Sequence, residues 1–258
     1  MSNSLAHLLG HEITRGKPLS LPRDYCLEAG IFGGLLLGVA ADAVINESTT
    51  PLRVLHLNLC ALALPEMPLY VETTSLRKGR HTESLSLKLT QAGTVVAHGS
   101  AFCGDQRQTQ PDELSLSMPQ FPTLESVSPV PEKAGLPPYT KHIELRPCWG
   151  ESLFSNGPMR SGGWVRLRTP SPGFDEVIAS TLIDSWWPAN LSRGLRPMAT
   201  VSIQIAFANI ASAKPNEHCA LTVQTTTVNH GYATELDQLW SADGQLIASA
   251  QQVIAIIK

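Results

Sequence analysis

Two segments of the chain carry the same order of secondary-structure signals, and this repetition constrains the fold more than any single motif. In the first segment, the apolar run FGGLLLGVAADAV precedes the alternating stretches RVLHLNLCAL, LYVETTSLR, HTESLSLKL and TVVAHGSAF. In the second, FDEVIASTLIDSWW precedes TVSIQIAF, ALTVQTTTV, ATELDQLW and QLIASAQQVIAII. Alternation of apolar and polar residues predicts strands, and the nearly continuous apolar runs predict buried helices. Each half is therefore expected to be a buried helix cradled by an antiparallel sheet.

Glycine turns support the repeat residue by residue. KGRHTE at 78–83 matches HGYATE at 230–235, and AGTVVA at 92–97 matches DGQLIA at 243–248. The two glycines are 14 residues apart in the first half and 13 in the second. Nearly equal spacing after a helix and a strand indicates a duplicated domain rather than a short-period solenoid.

The segment between the two halves has a different composition. Residues 105–140 contain seven of the chain's 19 prolines, many Ser, Gln and Glu residues, and no sustained periodicity. We therefore predict a proline-rich linker at 105–140 between an N-terminal repeat at 1–104 and a C-terminal repeat at 141–258. A chain of 258 residues is long enough for one large domain or for two of ordinary size.

Charge and cysteine content limit the possible partners and compartment. A net charge of −3 with 16% charged residues gives no electrostatic reason to expect nucleic acid or an anionic membrane as partner. The five cysteines are widely spaced and form no CxxC pair, as is typical of reduced cytoplasmic thiols. The N-terminal residues do not resemble a signal peptide, and the apolar run at 30–41 is shorter than the roughly 20 residues that span a bilayer. We expect a cytoplasmic protein.

One acid stands out in the second apolar helix. Asp175 can accept hydrogen bonds from the free amides of the first helical turn, but Asp184 falls within the apolar sequence TLIDSWW. No lysine or arginine lies three or four residues from Asp184 to neutralise it. Asp184 either reaches water or a loop amide near the helix end, or is a general base whose pKa is raised by burial. These residues alone leave both interpretations open.

The motifs, taken as a set, resemble the bacterial acyl-CoA thioesterase II family, also called TesB-like. The resemblance rests on FGGLLLGVAADAV and SLRKGRHTESLSLKLTQAGTVVAHGSAF in the first half, and on GGWVRLRTP, STLIDSWWP, MATVSIQIAF and LWSADGQLIASAQQ in the second. It covers nearly the whole chain except the linker. It implies an α+β double hotdog, with two tandem repeats that each have a long buried helix wrapped by an antiparallel β-sheet.

The resemblance also implies a catalytic set. In the family, an Asp of the second helix, a Thr or Ser at the start of the next strand and a Gln of the last strand hold the attacking water. These positions match Asp184, Thr200 and Gln252 in this sequence. Gln252 is preferred to Gln251 because of its spacing from Gly244, and because period-two alternation places it on the alanine-rich face of its strand.

The first half is expected to lack this site. The counterpart of Gln252 is Ala101, and the counterpart of Thr200 lies near Val54 or Leu55, none of which can position water. One site per chain follows. The remaining polar strand residues are better explained as satisfied or exposed than as catalytic; they are His56, Asn58 and His98.

The implied activity is hydrolysis of acyl-CoA thioesters to free acid and coenzyme A by Asp-activated water, in fatty acid metabolism. The sequence has no GxSxG elbow, no HExxH, no phosphate loop and no dinucleotide fingerprint. We therefore expect no metal and no cofactor, with coenzyme A present only as part of the substrate. Candidate substrate-binding residues are the helix-start glycines and the arginines near turns: Gly33, Gly34, Arg77, Arg80 and Arg193.

Other functions remain compatible with the sequence. One is a noncatalytic acyl-thioester-binding or assembly protein of hotdog fold, since residues 63–65 and 208–210 read ALP and ANI where the family usually has Arg-Pro. A hotdog hydratase or dehydratase is disfavoured because the expected DxNxxH segment is missing. Apolar sheet faces also predict a homo-oligomer.

Overall fold

The computed structural model describes residues 4–14, 16–28, 30–108, 116–131, 135–196 and 198–257. The α-helices are α1 (Ser4–Leu9), α2 (Gly33–Glu47) and α3 (Glu176–Ile183). The strands are β1 (Cys26–Leu27), β2 (Gly30–Ile31), β3 (Leu52–Leu59), β4 (Leu69–Lys78), β5 (Thr82–Gln91), β6 (Thr94–Gly104), β7 (Ile143–Gly150), β8 (Arg160–Leu167), β9 (Met198–Phe207), β10 (Cys219–Asn229), β11 (Tyr232–Trp240) and β12 (Leu246–Ile256). Short 3-10 helices cover Arg23–Tyr25, Leu124–Ser126, Pro138–Lys141, Ala189–Arg193 and Ile210–Ser212. Within these ranges, no helix has the length and hydropathy of a membrane span.

A single antiparallel sheet joins the two halves. Its ten strands have the order β4-β5-β6-β3-β9-β12-β11-β10-β8-β7. The halves meet at the central pair β3–β9, where Leu55 lies opposite Ile205. On each side of that pair the strand order is the same, because β3, β6, β5 and β4 mirror β9, β12, β11 and β10. This is the predicted double hotdog.

The two long helices pack against each other inside the curve of the sheet. A Cβ added at Gly38 of α2 would lie 2.7 Å from Thr181 Oγ1 of α3, and one at Gly34 would lie 2.7 Å from the Thr181 carbonyl oxygen. The two glycines therefore permit a close crossing that any larger residue would prevent. Asp184, just after the end of α3, lies beside Gly33 at the start of α2, so the helices run antiparallel. The main apolar core is continuous across both halves.

The segment predicted as a linker is partly packed. Phe121, Leu124 and Val127 lie against Trp164 and Trp240 on the outer face of the second half. The Trp164 indole also donates a hydrogen bond to the Pro122 carbonyl oxygen at 3.0 Å. Residues 109–115 and 132–134 of the segment lie outside the described residues. The apolar side chains among the prolines explain why the chain follows the sheet here.

The sheet register identifies the equivalent residues of the two repeats on β5–β6 and β11–β12. Each hairpin shifts register by one residue at the same place, directly after the pairs Leu89–Ala97 and Leu239–Ala248. Counting from these pairs makes Ala101 the counterpart of Gln252, as predicted. The counterpart of Glu235 is Leu85.

Two of the residue matches made from the sequence are wrong. Glu83 is not equivalent to Glu235, because the turn between β4 and β5 has two more residues than the tight turn between β10 and β11. The counterpart of Thr200 is Leu52 rather than Val54 or Leu55. A β-bulge occupies the same place in β3 and β9, so the two strands keep the same count on either side of it. The match is off by two or three residues because alternation alone does not fix where a strand begins.

Candidate active site

Asp184 lies at the meeting point of the two helices. Helix α3 begins where Asp175 accepts hydrogen bonds from the Val177 and Ile178 amides, at 3.1 and 3.2 Å, and ends one residue before Asp184. A Cβ added at Gly33 would lie 2.6 Å from Asp184 Oδ2, so only glycine allows this approach. The Gly34 amide donates to the Asp184 carboxyl. Asp184 thus faces the first turn of α2, where backbone amides lack helical partners.

The environment of Asp184 raises its pKa to about 7 from an ordinary value of 3.8. Burial is the largest cause, and the nearby Glu235 carboxyl adds to it. Hydrogen bonds from the Gln252 side chain and the Gly34 amide oppose the rise because they favour the ionised form. A group with this pKa is available as a base at neutral pH and as an acid after it has accepted a proton.

A β-bulge turns Thr200 toward the site. Ser202 lies opposite Val253 and Thr200 lies opposite Ile254, so the intervening Val201 has no partner of its own. Without this extra residue, Thr200 would share a face with Ser202, whose hydroxyl lies 3.0 Å from His56 Nε2 on the outer side of the sheet. With it, Thr200 faces the interior.

The Gln252 side chain connects the polar groups of the site. Its Oε1 accepts a hydrogen bond from Thr200 Oγ1 at 3.2 Å, and its Nε2 donates to Asp237 Oδ2 at 2.6 Å. The same amide also donates to Asp184. Gln252 is buried, whereas Gln251 is exposed, which agrees with the period-two alternation. The arrangement brings Asp184, Thr200 and Gln252 into one hydrogen-bonded group.

Two further acids, both missed by sequence reasoning, lie behind Gln252 on β11. Glu235 is 1% exposed and Asp237 is 0% exposed. Glu235 Oε1 accepts from Thr225 Oγ1 at 2.7 Å and from the Asn190 amide at 3.4 Å. Burial raises the pKa of both carboxyls, and their mutual proximity raises that of Asp237 further. The alternation in ATELDQLW does place both on one face, but two acids on a face normally indicate solvent.

Tyr139 also reaches this region, although it belongs to the segment predicted as a linker. It is 6% exposed, and its hydroxyl donates to the Ser185 carbonyl oxygen at 3.0 Å. Its ring stacks on Phe32, with the ring centres 4.5 Å apart. The end of this segment therefore forms a wall next to Asp184.

The structure does not bring all the predicted arginines to Asp184. Arg77 and Arg80 are exposed near the β4–β5 turn, which adjoins Gly104 and the Leu52 end of β3. Asp184 lies near Leu59 at the other end of that strand, roughly 23 Å away at about 3.3 Å per residue.

Arg193 lies closer, in the 3-10 helix that also contains Asn190. It is exposed, and its Nε donates to the Gly157 carbonyl oxygen at 3.2 Å. Arg196, three residues later, lies with its guanidinium carbon 4.9 Å from the centre of the Phe154 ring. Two cations thus lie on the loop whose Asn190 backbone amide donates to Glu235.

The other polar strand residues point away from the site. His56, Asn58 and His98 alternate with the buried Leu55, Leu57 and Ala97, which places them on the outer face of the sheet. In the described part of the chain, no group of three or more His, Cys, Asp or Glu side chains is arranged to hold a metal ion. The five cysteines are free.

Solved structures with the same fold are similar along almost their entire lengths. A hot dog fold protein of unknown function from Alicyclobacillus acidocaldarius has a TM-score of 0.88 at 22% identity, covering 100% of this chain and 99% of the other. The tesB protein of Mycobacterium avium subs paratuberculosis has a TM-score of 0.77 at 17% identity, with 99% of each chain covered. The acyl-CoA thioesterase II TesB2 of Mycobacterium marinum has a TM-score of 0.75 at 15% identity, with 98% of each covered. At these identities the likeness establishes the fold alone.

Comparison with protein families identifies the family of this chain, which the fold alone does not. No curated protein sequence matches the chain. Residues 21–104 match the acyl-CoA thioesterase N-terminal domain, and residues 119–256 match the acyl-CoA thioesterase C-terminal domain. Because the two matches together cover most of the chain in the expected order, the protein belongs to the acyl-CoA thioesterase family.

Proposed function

We propose that the protein hydrolyses acyl-CoA thioesters, with Asp184 as the general base. The observation that carries this proposal is a carboxyl group with a pKa of about 7, held beside the first turn of α2 and hydrogen-bonded through Gln252 to Thr200. A base is most effective when its pKa lies near the working pH. Membership of the acyl-CoA thioesterase family supports the same reaction.

In this proposal, Asp184 and Thr200 hold the attacking water. The Thr200 hydroxyl hydrogen is engaged by Gln252 Oε1, so Thr200 Oγ1 is an acceptor toward water. The water donates one hydrogen to Thr200 and the other to Asp184, which leaves an oxygen lone pair free to attack the thioester carbonyl carbon. Gln252 does not contact the water in this arrangement, because its side-chain amide is hydrogen-bonded to Thr200, Asp184 and Asp237. It positions Thr200 and Asp184 instead.

The remaining steps need little from the protein. As the C–O bond forms, Asp184 takes the proton from water and negative charge develops on the carbonyl oxygen. The Gly33 amide at the start of α2 is suited to stabilise that oxyanion, whereas the Gly34 amide is used by Asp184 and the Leu35 amide by the Phe32 carbonyl oxygen. The C–S bond then breaks, and the thiolate takes up the proton held by Asp184. Because a thiol has a pKa of about 8.5, the thiolate is a good leaving group and needs no strong general acid.

Coenzyme A is the proposed carrier of the acyl group. Its phosphates need cations at the entrance of the site, and Arg193 and Arg196 lie on the loop that follows α3. Arg77 and Arg80 lie toward the other end of the sheet, so we assign the phosphates to Arg193 and Arg196. A homo-oligomer stays a prediction of the sequence.

The proposal is tested by release of free thiol from short, medium, long and aromatic acyl-CoA thioesters. Purified wild-type protein is expected to cleave at least one class, while Asp184→Asn prepared in parallel releases no thiol above background. Equal rates in the two preparations would exclude Asp184 as the base and overturn this mechanism. If no acyl-CoA is cleaved but a nonhydrolysable acyl-CoA thioether binds in calorimetry, the noncatalytic acyl-thioester-binding function replaces this one.

A further inference from the structure

The buried acid Asp237 has no role in the hydrolysis described so far, yet it makes the shortest contact of the polar group. Asp237 Oδ2 lies 2.6 Å from Gln252 Nε2, and Asp237 is fully buried. Its other oxygen, Oδ1, has no hydrogen-bond partner among the described residues. A buried carboxyl group with an unpaired oxygen is costly, so its presence in this core requires a reason.

The two repeats provide an internal comparison. Counting from the register shifts of the two hairpins, the counterpart of Asp237 is Leu87 and the counterpart of Gln252 is Ala101. The first half therefore lacks both the amide and the acid, whereas the second half has both. The acid and the amide occur together in the second half and are both replaced in the first half. The equivalent strands of the first half pack with leucine and alanine at these positions, so the fold does not require the acid. This indicates that Asp237 is there to interact with Gln252.

The geometry explains what Gln252 needs. A glutamine amide has two nearly identical orientations, and only its hydrogen-bond partners select one of them. If the Gln252 amide were rotated by half a turn, its oxygen would face two carboxyl groups, Asp184 and Asp237. Thr200 would then lose the acceptor that fixes its hydroxyl.

We propose that Asp237 is a positioning residue that locks the Gln252 side-chain amide with its oxygen toward Thr200 and its N–H groups toward the acids. The role requires an acceptor and no charge. A protonated carboxyl retains a carbonyl oxygen that accepts from Gln252, in agreement with the raised pKa of this buried group. Asparagine at position 237 should therefore preserve the orientation of the Gln252 amide, because it retains an acceptor oxygen. Leucine should not, because it has none.

The kinetic test rests on the proposed hydrolysis and uses the full-length protein. Asp237→Leu is expected to lower kcat about 10²-fold with KM nearly unchanged, because a displaced catalytic group costs rate more than binding. Asp237→Asn is expected to stay within about threefold of wild type. The matched control is Glu83→Leu, which removes a buried carboxyl of the first half held by Ser75 at 2.7 Å. It is expected to change kcat less than twofold.

A double-mutant cycle separates positioning from a general loss of stability. If Asp237 acts only through Gln252, adding Asp237→Leu to Gln252→Ala should lower kcat less than twofold further. An equal loss in both backgrounds overturns the proposal, as does an Asp237→Leu variant with wild-type kcat. An Asp237→Asn variant as impaired as Asp237→Leu would show that charge or proton exchange, not acceptance, is required.

A spectroscopic readout decides the proposal even if the protein cleaves no thioester. The side-chain NH₂ signals of Gln252 can be identified by their loss in Gln252→Ala. They are expected to be slowly exchanging and shifted from free glutamine in wild type and Asp237→Asn, and to move toward free glutamine in Asp237→Leu. Unchanged signals in Asp237→Leu would refute the orientation role, whereas absent wild-type hydrolysis would refute only the proposed function.

Discussion

The two halves of the chain share one architecture but differ at the positions that face the helices. The second half has Thr200, Glu235, Asp237 and Gln252 where the first half has Leu52, Leu85, Leu87 and Ala101, in that order. The first half thus fills its core in the ordinary way, with apolar side chains. The second half replaces the same layer with a hydrogen-bonded polar group.

Each half has an acid in or next to its long helix, but the two acids have different surroundings. Asp42 lies ten residues after Phe32, as Asp184 lies ten residues after Phe174. Asp42 is 8% exposed, and its Oδ2 accepts from the Asn46 side chain at 2.8 Å. Asp184 instead meets a glutamine from the sheet and the start of the other helix. We infer that the polar strand layer, not the acid, distinguishes the two halves functionally.

The largest expected effect tests this comparison directly. Asp184→Asn removes the proposed base and should lower kcat for acyl-CoA hydrolysis by about 10³-fold. The change at the helix acid of the first half, Asp42→Asn, should leave kcat within twofold of wild type. Steady-state thiol release measured on both variants checks the pair. Comparable losses in both would mean that the first half also contributes to catalysis.

The bulge in β9 gives the second test. Thr200→Val keeps the side-chain shape but removes the oxygen proposed to accept from water, and should lower kcat by about 10²-fold. Ser202→Ala, on the opposite face and beside His56, should have little effect. Circular dichroism and kinetics on both variants provide the measurement. A stronger effect from Ser202→Ala would contradict the inward position of Thr200.

The pH dependence should reflect the raised pKa of Asp184. Because the base must be ionised, kcat/KM is expected to fall about tenfold per pH unit below pH 7 and to level off above it. The groups facing Asp184 are the Glu235 and Asp237 carboxyls, the buried Tyr139 hydroxyl and the amides of Gln252 and Gly34.

One of these neighbours can be changed to check the cause of the shift. Glu235→Gln removes a negative neighbour and should move the midpoint of the profile to lower pH. A midpoint near pH 4 in wild type would show that Asp184 is not desolvated during turnover.

The smallest effect concerns stability. Between pH 3.8 and about 7, folded Asp184 keeps a proton that the unfolded chain has released, so this group's contribution to the unfolding free energy falls as pH rises. Asp184→Asn should therefore raise the melting temperature relative to wild type at pH 8, with little difference at pH 4. At about 2–4 °C per kcal/mol, calorimetry can resolve the change. A higher wild-type melting temperature at pH 8 would contradict a partly buried carboxylate that is destabilised by desolvation.

Much of the fold could be predicted because its signals are local. The repeated order of elements, the Asp175 cap and the buried face of β12 all follow from residue patterns over a few turns or strand positions. The preference for Gln252 over Gln251 follows from spacing and alternation for the same reason, whereas the set of Asp184, Thr200 and Gln252 comes from the family resemblance. The match of Glu83 with Glu235 is wrong because a longer turn shifts the count, and the match of Thr200 with Val54 or Leu55 is wrong because alternation alone does not fix where a strand begins.

The sequence by itself determined two apolar helices and two sets of alternating strands. It also identified Asp184 as an acid within an apolar sequence, with no nearby basic residue to neutralise it. Only the tertiary structure decided that Asp184 faces the start of the opposite helix, that Thr200 turns inward, and that Glu235 and Asp237 are buried. These outcomes depend on contacts between residues distant in sequence. The crossing of α2 and α3 and the register of β9, β11 and β12 set the distances between those side chains, and neither follows from local periodicity.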